Sequence, residues 1–257
     1  MTVINTNVKS LVAASALTVN ERFLATAMEQ LSTGKRINGA KDDAAGQAIA
    51  SRMTTQIRGL DQAVRNANDA ISLIQTADGA LEEVSNMLQR MRELSVQYNN
   101  DVNSDDDQTA ISTEFDALSA EIGRINDETT WNGQDVFADF GSASMQIGAN
   151  DGDSITIEID GVTLTGAVGG LEELDTDIDA INTQRSELGA YINRLTYASN
   201  NSLNISQNTS ASRSRIVDTD YAKVSAELAR TQIVQQAATA MLAQANQSTQ
   251  SVLALLK

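Results

Sequence analysis

The chain has 257 residues, enough for one or two domains, and carries 18 Lys and Arg against 34 Asp and Glu, a formal charge of −16. That balance excludes the basic patches on which nucleic-acid binding rests, favours solubility, and predicts repulsion between copies that salt screens. Without Cys or His there are no disulfides, thiolate metal sites or imidazole chemistry, and without Pro nothing forces a kink.

Aromatic residues are only 4%, so the core must be built from Leu, Ile, Val, Ala and Met, which suits seams between helices better than a sandwich. Met1–Leu17 lacks the basic start and continuous apolar core of a cleavable signal peptide, and no run is long enough to span a bilayer. No membrane insertion is expected, and export, if it occurs, must use a route other than general secretion.

Residues 1–34 read as a first helix, with Asn5 and Thr6 as candidate caps. Leu17, Leu24 and Leu31 recur every seven residues, with Ala13, Ala14, Ala27 and Met28 between them. This seam is thin and Ala-rich, and such a helix is marginal alone. Thr33-Gly34-Lys35 and Asn38-Gly39 break the pattern, giving a connector over 35–43. Asp42 and Asp43 then stand where carboxylates cap a helix N-terminus.

The strongest periodicity follows, from Ala44 to about Tyr98. Ile57, Leu60, Val64, Ala67, Ile71, Ile74, Ala77, Leu81, Val84, Leu88, Met91, Leu94 and Tyr98 alternate gaps of three and four, with one slip around Ala77. At ~1.5 Å per residue this is a helix roughly 80 Å long, and its stripe needs other long helices beside it. A polar turn over 99–107 leads to a third helix marked by Ile111, Phe115, Leu118, Ile122 and Ile125, antiparallel to the second because the connection is short.

Residues 129–166 change character. Trp131-Asn132-Gly133, Asp151-Gly152 and Asp160-Gly161 are turn signals, and Met145, Ile147, Ile155, Ile157 and Ile159 alternate with polar residues, predicting one or two small hairpins. The acidic turn reads as a solvated loop with a helix cap, and in Asn150–Asp153 the Gly comes too early and the later Glu is misplaced for a calcium loop, so no metal and no cofactor is expected.

From Leu171 the helical stripe returns through Leu174, Ile178, Ile181, Leu188, Ile192 and Leu195, and fades over the Ser/Asn/Thr-rich stretch 199–214. Residues 213–218 read as a connector, and a last Ala-rich helix spans 221–257, with Val224, Leu228, Ile233, Val234, Ala237, Ala238, Met241, Leu242, Ala245, Val252, Leu253 and Leu256 apolar. The fold class is therefore mainly α, a long antiparallel helical bundle with a small β-hairpin region at mid-chain. The expected domains are an inner one built from 1–34 and 221–257, connectors 35–43 and 214–220, and a core domain 44–213. The thin terminal seams predict ends that fold fully only against other copies.

Several motifs carry a resemblance. Leu31-Ser32-Thr33-Gly34-Lys35-Arg36-Ile37-Asn38-Gly39-Ala40-Lys41-Asp42-Asp43-Ala44-Ala45-Gly46, Arg65–Ala70, Ser214–Ala222 and Gln236–Gln247 resemble the terminal signatures of bacterial flagellin, in the right order at both ends. The likeness covers 1–166 and 171–257, without the variable outer domains many flagellins insert near the middle, and Thr249 stands where many have Pro. It implies a structural subunit, not an enzyme, that self-assembles into the helical filament of the flagellum. Implied with it are secretion through the flagellar type III export apparatus, a chaperone on the C-terminal helix, and addition beneath a filament cap beyond hook-junction proteins. Leu17, Leu24, Leu31, Met241, Leu242, Val252 and Leu253 are the expected assembly residues. The alternative within the same resemblance is a hook–filament junction protein, which would stop at a ring. Gln89–Gln97 also resembles the flagellin segment bound by the Toll-like receptor of animal innate immunity, with Arg90, Leu94 and Glu114 at matching positions.

Overall fold

The computed structural model describes residues 6–254, with side chains through Gln247. Among the described residues five helices and four short strands follow one another: α1 (Val8–Thr33), α2 (Ala44–Tyr98), α3 (Asp105–Glu128), β1 (Thr130–Trp131), β2 (Gln134–Asp135), β3 (Ala143–Gln146), β4 (Ser154–Ile157), α4 (Leu171–Val217) and α5 (Tyr221–Ala254). They form two compact units: a central one, Gln56–Asn208, and a terminal one holding the chain up to Thr55 and from Thr209 onward.

In the central unit the buried line along α2 is Leu60, Ala63, Ala67, Ala70, Ile74, Ala77, Leu81, Val84, Leu88 and Met91. Its gaps alternate three and four without a slip. The sequence stripe took Val64 and Ile71, which are half-buried at the margin, while Ala63 and Ala70 are buried in the line. Alanine lets other elements approach closely at this level. A Cβ on Gly59 would stand 3.0 Å from that of Ala149, and Asn66 Nδ2 donates to the Gln146 carbonyl at 3.0 Å.

Helix α3 begins at a capping box in which the Asp107 amide donates to Ser104 Oγ and the Ser104 amide to the Asp107 carboxylate, satisfying two donors that helix geometry leaves free. It presents Ile111, Phe115 and Ile122 to the core. Helix α4 contributes Leu174, Ile181, Leu188 and Leu195, and the line continues as Ser199, Ser202 and Ser206. The stripe thus changes chemistry without ending. Ser206 Oγ donates to Asp61 Oδ1 at 2.9 Å and Ser202 Oγ to the Ile147 carbonyl at 3.5 Å, so these two serines bury polar atoms with partners. The helix also runs on through residues 213–217, which the sequence reading placed in a connector.

Of the one or two hairpins expected, two form. Asn132 (φ 51°) and Gly133 (φ 80°) make the tight turn between β1 and β2, with the two left-handed residues that match strand twist. Strands β3 and β4 pair antiparallel in the register Ala143 with Ile157 and Met145 with Ile155. Their alternation puts Ile155 and Ile157 into the helical core, joined by Ile159. The return to α4 is fastened by buried Asp177, whose carboxylate accepts from the amides of Thr165 and Gly166 and from Thr165 Oγ1. Gly169 (φ 89°) sits where a Cβ would be 3.0 Å from Asn99 Oδ1, so only glycine fits between this loop and the end of α2.

In the terminal unit α1 and α5 pack against each other. Asn7, rather than Asn5 or Thr6, is the N-cap of α1, its side chain accepting from the Ser10 amide. Asn5 itself lies outside the described residues. Gly34 ends the helix in the left-handed conformation at φ 69°. Asp43 Oδ1 caps α2 through the Gly46 amide, while Asp42 instead accepts from the amides of Asn38 and Gly39 and holds the connector turn.

Candidate functional site

Leu17, Leu24 and Leu31 are all half-buried in the seam between α1 and α5, with Ser10, Ala13, Asn20 and Ala27 completing the line at gaps of three and four. From α5 come Val224, Leu228, Thr231, Gln235, Ala238, Leu242 and Ala245. Only Asn20 and Ala27 on α1, and Thr231 on α5, are fully buried among the described residues. The pair therefore covers little apolar surface. It also has a polar crossing: Asn20 Nδ2 donates to the Thr231 carbonyl at 2.8 Å, and Asn7 Nδ2 to the Ala245 carbonyl at 3.0 Å. Thirteen residues separate the donors and fourteen the acceptors, in opposite directions, so the helices run antiparallel.

The apolar residues left out of this seam form a second surface. Val8, Val12, Val19 and Phe23 on α1 and Ile233, Val234 and Met241 on α5 are exposed, Met241 at 65%. Between the two helices lies a groove of ≈710 Å³ lined by Val8, Val12, Ala16, Val234, Ala237 and Met241, with Lys9 at its border. The structure thus separates two expected assembly residues that adjoin in sequence: Leu242 is inside the pair and Met241 outside it. Val252 and Leu253 lie outside the described side chains. The sequence reading missed Val8, Val12, Val19 and Phe23, although their gaps of four, seven and four mark a second helical stripe.

On the central unit, Arg90 and Glu114 meet between α2 and α3. Arg90 Nε and Nη2 donate to Glu114 Oε1 at 3.0 and 2.8 Å, and Nη1 donates to Glu93 Oε2 at 3.1 Å. Those hydrogen bonds, that to Glu114 foremost, raise the guanidinium pKa. The network is exposed. Leu94 differs: at 2% exposure it is core, so of the three only Arg90 and Glu114 offer side chains to a partner. A second exposed fork joins Arg92 to Asp175 across α2 and α4 and holds that carboxylate below the usual range.

Comparison with known proteins shows the family. Residues 4–142 match the family model of the bacterial flagellin N-terminal helical region, and residues 171–256 that of the C-terminal helical region. The flagellin of Halalkalibacterium halodurans is 45% identical over 271 aligned positions, covering 99% of this chain and 100% of that one. The polar flagellin F of Vibrio parahaemolyticus is 34% identical over 372 positions, covering 98% and 99%. An alignment that long against 257 residues means that the Vibrio protein carries segments this chain lacks. A crystal structure of Bacillus cereus flagellin is 31% identical, covering 54% of this chain and 88% of that one, with a TM-score of 0.49.

Proposed function

The chain belongs to the bacterial flagellin family, the non-catalytic structural subunits of the extracellular flagellar filament, and on that premise we propose that its α1·α5 pair is the part that polymerises. One observation carries this reading: the pair buries a thin seam while it leaves an apolar groove and the side chains of Val12, Phe23 and Met241 open to water. An exposed patch of this kind on a helix pair marks an interaction site. Other copies of the same chain are the occupant a filament requires, stacked head to tail in a contact that does not close into a ring. Residues 1–34 and 221–257 then constitute an inner domain completed by neighbours, and the central unit supplies a folded body that stands without them.

The remaining partners follow from the same membership. Export proceeds through the flagellar type III apparatus, a chaperone shields the C-terminal helix before export, and growth takes place beneath a cap beyond the hook-junction proteins. Arg90 and Glu114 form the candidate contact for an animal Toll-like receptor, with Leu94 supporting the helix beneath them.

Seeded growth followed by electron microscopy tests the central reading. The full chain extends short filament seeds into long helical filaments. A chain lacking 1–34 and 221–257 remains a helical monomer and adds to no seed. Filaments grown from the shortened chain, or a full chain that stops at rings as a junction protein would, overturn it.

A further inference from the structure

The connectors that flank the terminal pair are joined to each other. Lys35 and Asp218 form an antiparallel bridge, and the Thr219 amide donates to the carbonyl of Gly34, the C-cap of α1, at 3.0 Å. In return residue 36 caps α4: its amide donates to the Val217 carbonyl at 2.6 Å, and Arg36 Nε and Nη2 both reach the Ile216 carbonyl, at 3.2 and 2.6 Å. Carbonyls at a helix C-terminus lack intrahelical partners and carry partial negative charge, so a guanidinium is well matched to them. Asp220 then starts α5 at once, accepting from the amides of Ala222 and Lys223.

We propose that Arg36 is a positioning residue of the terminal pair: by closing this clasp it sets the register in which α5 lies against α1. The seam does not set it alone. Leu17, Leu24 and Leu31 recur every seven residues, as do Leu228, Gln235 and Leu242, so sliding one helix by seven brings similar residues together again. Such a slide moves α5 by about 10.5 Å, which the hydrogen bonds of the clasp do not survive. With the clasp closed, Asn20 and Asn7 reach the Thr231 and Ala245 carbonyls, and a buried Asn amide in an apolar seam penalises registers that leave it unpaired. Arg suits the position because its planar fork places two nitrogens on one oxygen, which the single ammonium of Lys does not. Gly34 is required beside it, since a Cβ there would lie 2.9 Å from Tyr221 Oη at a positive φ. The clasp and the seam are contacts within one chain, so the register is defined for each copy whenever α1 and α5 are folded; its consequence, that every copy presents the same groove to its neighbours, rests on the function proposed above.

The absence of native cysteine makes disulfide trapping clean. In full-length chain, Ala13→Cys with Ala238→Cys reports the observed register, and Ala13→Cys with Ala245→Cys reports a slide of seven. Intramolecular cross-linking is measured after brief oxidation, in free chain and after seeding. With Arg36 present the first pair dominates. Arg36→Ala lowers the ratio of the two yields about tenfold, because two charge-assisted bonds are lost from one register only. Should Arg36→Ala lose its helix content by circular dichroism, Arg36→Lys supplies the same test with the charge retained, and the ratio must again fall. An unchanged ratio in the folded variant, including yields that decline in parallel, overturns the assignment and leaves Arg36 a mere stabiliser. Failure of the Arg36-containing chains to extend seeds, with the ratio shifting as stated, contradicts the proposed function and leaves the positioning role intact.

Discussion

Replacing Met241 by Ser separates the surface that joins copies from the seam that joins the two terminal helices. Met241 is 65% exposed in the single chain. Complete burial of a side chain of this size contributes ~1.5–3 kcal/mol, so covering the exposed part in an assembled neighbour contributes about 1–2 kcal/mol. Each 1.4 kcal/mol is roughly a factor of ten in an equilibrium constant, so the monomer left in balance with polymer should rise between about five and thirtyfold. The single chain should barely register the change, since an exposed helical Ser costs at most ~0.5 kcal/mol in propensity. Sedimentation after seeded growth at fixed salt gives the residual monomer, and thermal melting of unassembled chain gives its stability. Leu242→Ser is the control: half-buried in the seam, it should loosen the α1·α5 pair itself. Residual monomer unchanged by Met241→Ser, or a melting temperature lowered as much as by Leu242→Ser, would refute the division between groove and seam.

Within the central unit, Leu88→Ala removes a side chain with no solvent exposure and should cost ~2–5 kcal/mol in urea unfolding; a loss below about 1 kcal/mol would mean that the three-helix core collapses around the gap. Ser104 holds the Asp107 carboxyl below the usual carboxylate range, first through its hydroxyl and then through its amide. The folded chain therefore favours ionised Asp107: the stabilisation is complete above the ordinary value near pH ~3.9 and is lost as pH falls through the lowered one. Asp107→Asn should accordingly be less stable than the natural chain at neutral pH, with the difference shrinking on acidification; a difference constant down to about pH 2 contradicts this. Arg90→Ala should weaken receptor binding by unassembled chain at least about tenfold while leaving helix content unchanged, and equal binding removes Arg90 from the contact.

The long helices were legible because burial of Leu81, Val84, Leu88 and Met91 follows directly from spacing. Their fine alignment was not, since periodicity cannot tell a large residue at the edge of a stripe from an alanine at its centre; hence Val64 and Ile71 stood for Ala63 and Ala70. The Ser-rich end of α4 looked like a fading stripe because hydropathy ignores hydroxyls that find partners, as Ser206 does on Asp61. In the terminal helices the thinness of the seam was visible, but most residues of α5 are apolar or small, which hides the face that packs. That is why Met241 and Leu242 were read together. The Asn20–Thr231 crossing and the Arg36 clasp join residues more than 170 positions apart, and no local pattern announces them.

Amide hydrogen exchange on full-length chain, before and after seeded growth, tests most directly the claim that the terminal pair is completed by other copies. The account predicts rapid exchange along α1 and α5 in the free chain beside slow exchange at the buried positions of α2, α3 and α4, and slow exchange in all five helices of the polymer. Protection of α1 and α5 in the free chain equal to that of the central core would contradict it.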